Sequence, residues 1–349
     1  VIASVNRVKA TLQNVDGMSD DSDPGKGNPI DLPRTQAEEN VLRTAAIAAL
    51  EPLATTDDQK VTLNVLKGDA DMYAGDYTKA LTDYRAALAL SPKNTDALGG
   101  ISYAAERLKN YDAMLQADQS LVALSPQSVP RLVALGVESG VAGRYADARQ
   151  AFERAVSAAE KKANAPGAKP ADIRYLAWAH LYYGRMEAKA GRPDAARRQF
   201  ALATQTTLRL PKNDERYTIY LEQAQEETVA LDLGGRRTAA SLSFAPWTGP
   251  ELPGSSPDTA KYRLVVTGNP GRTIALHATD LPKGWIASFC TDRICAPLHV
   301  TTSLPSSGVK IIEFQVVPPD SKSLAHVPSV RVVATDGKST TSARTLALR

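Results

Sequence analysis

Two cysteines, Cys290 and Cys295, are the sharpest chemical feature of this 349-residue chain and its only thiols. A Cys-x4-Cys spacing at the end of a predicted strand closes as a hairpin disulfide if the two Cα atoms approach within roughly 7 Å. Because disulfides persist in oxidising compartments, this pairing predicts a periplasmic or extracellular protein. Free thiols and a metal site stay open as alternatives, although two cysteines and the nearby His299 are fewer ligands than zinc requires.

The other residues that could do chemistry form no catalytic set. The chain has four histidines, and neither a Ser/His/Asp nor a Cys/His arrangement can be assembled from them. His180, expected on a helix beside Trp178 and Tyr182, is interpreted as a packed or surface side chain. No Gly-rich phosphate-binding motif is present. We therefore expect no enzymatic activity, no cofactor and no bound metal ion.

Residues 1–34 are interpreted as an N-terminal segment and linker. Residues 16–29 are polar and rich in Gly and Pro, so they cannot bury enough apolar surface to offset the entropy of ordering. Asp21, Asp23 and Asn28 resemble part of a calcium loop, but the third acid and the distant Glu are missing. The chain begins with Val1, which fits either a removed signal peptide or a truncated start.

The composition indicates neither nucleic-acid binding nor a membrane-spanning helix. Hydrophobic residues make up 43% and charged residues 23% of the chain, as in soluble globular proteins. A net charge of +3 is too small to indicate nucleic-acid binding. No apolar run is long enough for a transmembrane helix. The length favours two domains.

A regular repeat organises the first two thirds of the chain. Tyr77, Tyr111 and Tyr145 are equally spaced, and the same interval separates Pro92 from Pro126. Each tyrosine follows a short turn, and each proline ends a predicted helix because proline cannot continue one. A period of about 34 residues, with two helices in each unit, predicts a helical solenoid.

The repeat resembles the tetratricopeptide family. The small and large side chains, and the helix-ending proline, that are characteristic of the family fall in its spacing. They are Gly68, Ala80, Tyr84, Ala87 and Pro92 in repeat one, and Gly136, Ala148, Phe152 and Ala155 in repeat three. Repeat two is degenerate and has Ser102, Met114, Asp118 and Leu121 at these places. A fourth repeat has Gly184, Gly191, Ala196, Phe200 and Ala203, after an insertion at 158–171 that we expect to lengthen a helix and form a loop. A final helix is predicted at 214–231.

After Gly234 the hydrophobic pattern alternates every second residue, which predicts strands of a sandwich or barrel. The predicted strands are 238–244, 261–267, 273–279, 285–290, 298–301, 309–317, 329–335 and 341–348. A Leu-Pro-Lys-Gly-Trp turn ending at Trp285 is similar to immunoglobulin-like, fibronectin-like or NEW3-like accessory domains of bacterial secreted proteins. Trp247 and Trp285 are expected in the sandwich core.

These resemblances imply a multidomain α plus β fold, with an α-solenoid of helix hairpins at 35–233 and an all-β immunoglobulin-like sandwich at 236–349. Tetratricopeptide proteins hold partners on the concave face formed by the first helix of each repeat. Counting along the repeats, the partner-binding positions are Asp69, Met72, Tyr73, Tyr103, Glu106, Arg107, Arg185 and Lys189. The same count includes Val133, Val137, Val141 and Leu181, of which the valines are alternatively packing residues.

The sequence thus predicts a non-catalytic scaffold that grips another protein or protein segment, as an exported subunit or accessory protein of a larger envelope or extracellular assembly. The Lys/Asn set that clamps a terminal carboxylate in chaperone-binding members is absent, so we do not expect capture of a chaperone tail. A carbohydrate-associated or surface-adhesion role for the sandwich is the alternative, with Trp247 as its candidate glycan platform. Hydrolysis is a weaker hypothesis, since the acids of the β region are scattered.

Overall fold

The computed structural model describes residues 36–232, 234, 241–246, 259–291, 294–320, 329–335 and 340–346. The chain forms two compact units, Val1–Arg144 and Tyr145–Arg349. The predicted N-terminal linker and its possible calcium loop lie outside the described residues. The predicted domain boundaries at 35, 233 and 236 stay predictions.

The first unit is helical. Its helices are α1 (Gln36–Leu50), a short 3-10 turn (Glu51–Leu53), α2 (Asp57–Ala74), α3 (Tyr77–Leu90), α4 (Thr95–Arg107), α5 (Tyr111–Leu124) and α6 (Val129–Val141). Helix α2 begins at Asp57, because Thr56 and Gln59 form a capping box. It ends at Gly75, whose φ of 78° is the left-handed conformation that glycine adopts without strain.

Helices α2 and α3 pack closely around one tyrosine. Tyr84 of α3 is buried, and a Cβ placed on Gly68 or Gly100 would lie only 2.6 Å or 2.3 Å from its ring. The two glycines therefore let both α2 and α4 pack closely against the ring. The small and large roles predicted for Gly68 and Tyr84 are confirmed, whereas the contact with Gly100 was not predicted.

The second unit begins with four helices, α7 (Tyr145–Ala163), α8 (Pro170–Lys189), α9 (Pro193–Thr207) and α10 (Tyr217–Asp232). The insertion lengthens α7 and then forms a loop, as predicted. Gly184 faces the ring of Phe200, and a Cβ there would come within 2.5 Å. Helix α10 begins later than the predicted start at Asp214, because the side chain of Asp214 accepts a hydrogen bond from the Arg216 amide in the preceding turn.

The β region of this unit contains nine described strands. They are β1 (Ser241–Pro246), β2 (Ala260–Thr267), β3 (Thr273–Thr279), β4 (Ile286–Thr291), β5 (Ile294–Pro297), β6 (His299–Ser303), β7 (Val309–Val317), β8 (Val330–Thr335) and β9 (Thr340–Leu346). One antiparallel sheet has the order β1-β2-β7-β4-β5 and the other β6-β3-β8-β9. All eight predicted strands are present, and β5 was missed.

The two sheets share one apolar core. It contains Leu264, Val266, Ile274, Leu276, Phe289, Ile312, Phe314, Val330 and Val332 from strands of both sheets. Trp285 is partly buried against this core, as predicted, and Trp247 lies outside the described residues. A sandwich following helix hairpins confirms the predicted α plus β fold class.

Helix α10 is joined to strand β7. The carboxylate of Glu226 accepts a hydrogen bond from the Ile311 amide at 2.9 Å and lies 3.6 Å from the Lys310 ammonium. Burial raises the pKa of Glu226 to about 6, although Lys310 and the amide oppose that shift. The final helix therefore buries one of its acidic side chains against the sheet.

Candidate functional site

The predicted partner-binding residues of the first unit lie on α2 and α4, the first helices of two successive repeats. Tyr73 is 43% exposed and Tyr103 is 55% exposed. Met72 and Glu106 are partly exposed, and Arg107 is exposed. Large aromatic side chains with this much solvent exposure are typical anchors of protein interfaces. The partner-binding assignment itself stays a prediction.

Several of these residues also have contacts within the unit. Asp69 accepts a hydrogen bond from the Tyr84 hydroxyl at 2.7 Å, which ties it to the core. The guanidinium of Arg43 lies 3.9 Å from the centre of the Tyr73 ring. Arg107 donates from Nε to the Tyr77 hydroxyl at 3.3 Å. These contacts hold the side chains in place, which lowers the entropy lost on binding a partner.

In the second unit the predicted positions differ in accessibility. Arg185 of α8 is partly buried and donates from Nε to Glu227 of α10 at 2.8 Å. Lys189, in the last turn of the same helix, is exposed. Leu181 is fully buried among α9 and α10 residues, and Val133 in the first unit is also buried, so both are core residues rather than ligand-facing ones.

A cluster of three carboxylates in the first unit was not predicted. Asp118 of α5 is only 6% exposed and interacts with Ser102 and Glu106 of α4 and with Glu138 of α6. Asp118 Oδ2 and Glu138 Oε2 are buried and accept no hydrogen bond. We call Glu106, Asp118 and Glu138 the acidic cluster.

The electrostatics of the acidic cluster follow from burial and like charge. Burial raises the pKa of Asp118, and the charge of Glu106 raises it further, while the Ser102 hydroxyl opposes the shift. Burial, with the charges of Asp118 and Glu106, raises the pKa of Glu138 to about 7. The cluster therefore favours a positive charge, whether a proton or a cationic group.

A second unpredicted feature is a cavity in the second unit. It has a volume of about 290 Å³ and is lined by Ala171, Arg174, Tyr175, Trp178, Glu215, Arg216 and Tyr220. Arg174 is held by Asp214 at 2.9 Å and by Glu215 at 3.0 Å. The lining comes from two segments that are far apart in the chain, so its convergence could not be read from either segment alone.

The cysteines occupy facing positions of β4 and β5. Cys290 is paired in register with Cys295, their Cα atoms are 3.9 Å apart, and the sulfurs form a disulfide. The predicted hairpin disulfide is present, and neither free thiols nor a metal site is formed by these two residues.

Three of the four histidines lie in the described part of the chain. His180 is buried, its Nδ1 lies 2.8 Å from Gln199 Oε1, and burial lowers its pKa. His277 and His299 stack across β3 and β6 with ring centres 5.7 Å apart. Within the described ranges, no group of three or more His, Cys, Asp or Glu could hold a metal ion.

Comparison with protein families supports the repeat interpretation for one segment. Residues 65–129 match the family model described as the tetratricopeptide repeat. The match spans 65 of the 349 residues of the chain. It covers most of α2, all of α3 to α5, and the first residue of α6. It therefore includes the exposed tyrosines and two members of the acidic cluster.

Solved structures give looser similarities. One structure of MamA is 20% identical, covering 50% of this chain and 96% of that one, with a TM-score of 0.38. MamA from Desulfovibrio magneticus RS-1, from residue 41 onwards, is 17% identical, covering 52% and 99%, with a TM-score of 0.37. BtubC from P. vanneervenii is 18% identical, covering 50% and 73%, with a TM-score of 0.39. No curated protein sequence matches the chain.

None of the helices in the described residues has the length and apolar character needed to cross a membrane.

Proposed function

We propose that this protein is a non-catalytic scaffold that holds a partner protein or protein segment against the first helices of its tetratricopeptide repeats. It serves as an exported subunit or accessory protein of a larger envelope or extracellular assembly. The β-sandwich acts as a spacer or second contact and is of the immunoglobulin-like, NEW3-like type.

The pair of exposed tyrosines carries this proposal. Tyr73 and Tyr103 lie on the first helices of neighbouring repeats, and about half of the surface of each is exposed to solvent. Tyrosine provides a large contact area for a small loss of side-chain entropy and is enriched among the residues that dominate binding energy. With Met72, Glu106 and Arg107 nearby in sequence, the surface offers both apolar and charged contacts, which suits a peptide segment or helix.

Site-specific photocrosslinking in the cells that make the protein tests the partner-binding surface. A benzophenone amino acid at position 103 should give adducts with one or a few protein partners, and the same group at position 73 should give the same partners. Leu90, which is 41% exposed on the second helix of its repeat, is the matched control. Adducts at 90 equal to those at 103, or none at 73 and 103, would contradict the proposal.

The disulfide supports export, because a Cys pair in the cytosol is usually kept reduced. Protein isolated from its native source under thiol-blocking conditions should contain no titratable thiol before reduction. It should contain two after reduction, since both cysteines of the chain are in the bond. Two free thiols before reduction would argue against an oxidising compartment.

A further inference from the structure

The acidic cluster occupies a place where other repeats have an aromatic core residue. Asp118 lies one repeat length after Tyr84 and one before Phe152, so it holds the same position in its repeat. Ser102 likewise lies one repeat length after Gly68. In the neighbouring repeats this position holds a large aromatic core residue, so a buried acid departs from the packing pattern of the fold. Such departures concentrate at functional sites.

The carboxylates in the cluster lack the partners that a buried charge requires. Asp118 is more than nine-tenths buried and its Oδ2 accepts no hydrogen bond, and Glu138 Oε2 is a second buried oxygen that accepts none. No ion pair to Glu106, Asp118 or Glu138 is present among the described residues. Removing charged groups from water without a counter-charge is costly, so the cluster is incomplete as it stands.

We propose that the acidic cluster receives the cationic end of one Lys or Arg side chain from the bound protein segment. This inference rests on the proposed scaffold function and specifies the partner's chemistry. Glu106 and Glu138 are partly exposed whereas Asp118 is buried, so a cationic group of the partner reaches the two glutamates first. An ammonium or guanidinium group donates several charge-assisted hydrogen bonds, as these carboxylates require.

The surroundings favour a side chain over a free ion. Tyr103 lies one helical turn before Glu106 on α4 and is largely exposed, so its ring can cover the aliphatic stem of an entering Lys or Arg. Among the described residues, no group of three or more acids, the acidic cluster included, has an arrangement that could hold a metal ion. The cationic side chain supplies specificity, and the exposed tyrosines supply contact area.

Selection from a random peptide library displayed on phage tests this inference with the full chain. The selected peptides should share one Arg or Lys flanked by apolar residues. Replacing that Arg by citrulline, or Lys by Gln, should weaken binding measured by calorimetry about tenfold or more, because each neutral residue has a similar shape without the charge.

Matched protein variants assign the effect to the cluster. Glu138→Gln and Asp118→Asn preserve size, and each should weaken the selected peptide about tenfold while circular dichroism confirms the fold. Asp96→Asn makes the same charge change on the exposed first turn of α4 and should leave affinity unchanged.

The remaining outcomes separate this inference from the proposed function. Selected peptides that lack a cation, or that bind Glu138→Gln as well as the unmodified chain, would overturn the inference and leave the scaffold function standing. Failure to select any peptide would contradict both. Calcium or magnesium that binds alone and is lost in Glu138→Gln would identify a metal site and also overturn the inference.

Discussion

The first two repeats of the N-terminal unit place very different residues at the same position. In the first, Tyr84 fills the space between helices, with Gly68 and Gly100 close against its ring. In the second, Asp118 is buried at the equivalent place and faces Ser102. The same hairpin architecture thus accommodates either a packed aromatic ring or a buried carboxylate, and only the ring is a favourable choice for stability.

The comparison also shows how a polar group is satisfied in one repeat and not in the other. The Tyr84 hydroxyl donates to Asp69 at 2.7 Å, so the polar end of the core ring has a partner. Asp118 has Ser102, yet its Oδ2 has no partner and two further acids are nearby. A buried polar group costs stability mainly when it is unpaired. The second repeat therefore gives up stability at the position where we infer binding.

The largest expected change in stability comes from placing an aspartate at position 84 of the first repeat, as the second repeat has at position 118. Tyr84→Asp should lower the free energy of unfolding by about 4 kcal/mol or more, because it removes the ring contacts and buries a charge near Asp69. Urea denaturation followed by circular dichroism measures this loss. Tyr103→Ala, an exposed control, should change stability by less than about 0.5 kcal/mol. A loss below about 1 kcal/mol for Tyr84→Asp would contradict the claim that an aromatic ring stabilises this position more than a buried acid does.

In the second repeat, replacing the buried acid should increase stability rather than decrease it. Asp118→Leu keeps the branched outline of the side chain but removes the charge, so it should raise the free energy of unfolding by about 1 to 3 kcal/mol. Asp118→Asn should give a smaller gain, because a buried polar group remains. The same urea titration measures both variants. Destabilisation by Asp118→Leu would mean that the carboxylate is already well paired within the chain.

The smallest expected effect is a change in the pH dependence of folding stability, caused by replacing Glu138. The pKa of Glu138 is raised from 4.5 to about 7 in the folded chain, so the unfolded chain releases this proton first as the pH rises. Its contribution to stability is therefore fully present below pH 4.5 and is lost as the pH rises to about 7. Glu138→Gln should remove this loss, which we expect to be below about 1 kcal/mol because the group is partly exposed.

Melting temperatures at pH 5 and pH 8 measure the change caused by Glu138→Gln. The unmodified chain should lose more stability between these values than the variant does. Asp96→Asn, an exposed carboxyl on α4, is the control and should follow the unmodified chain. An identical pH dependence in Glu138→Gln and the unmodified chain would show that Glu138 titrates as an ordinary carboxyl.

The helical hairpins could be predicted because their signals are local. Tyr77, Tyr111 and Tyr145 each begin the second helix of a repeat directly after a turn, and their constant spacing repeats that arrangement. The disulfide was likewise predictable from the short separation of Cys290 and Cys295 in the chain. Strand β5 was missed because it has only four residues, which is too short for an alternating pattern.

The acidic cluster could not be assembled from the sequence. Glu106, Asp118 and Glu138 lie on three different helices, and only tertiary packing brings them together. A signal was nevertheless present, since Asp118 stands at the position of Tyr84 and Phe152. The contact between Glu226 and the Ile311 amide spans 85 residues and has no such signal.

The most direct test of the account measures stability and binding in Asp118→Leu together. The variant should unfold at a higher urea concentration than the unmodified chain and bind the selected cationic peptide about tenfold more weakly or worse. That combination would mean that the second repeat keeps a buried acid for binding at the expense of packing. Unchanged peptide affinity in a stabilised Asp118→Leu would contradict the claim, because the acid would then weaken the fold without serving the partner.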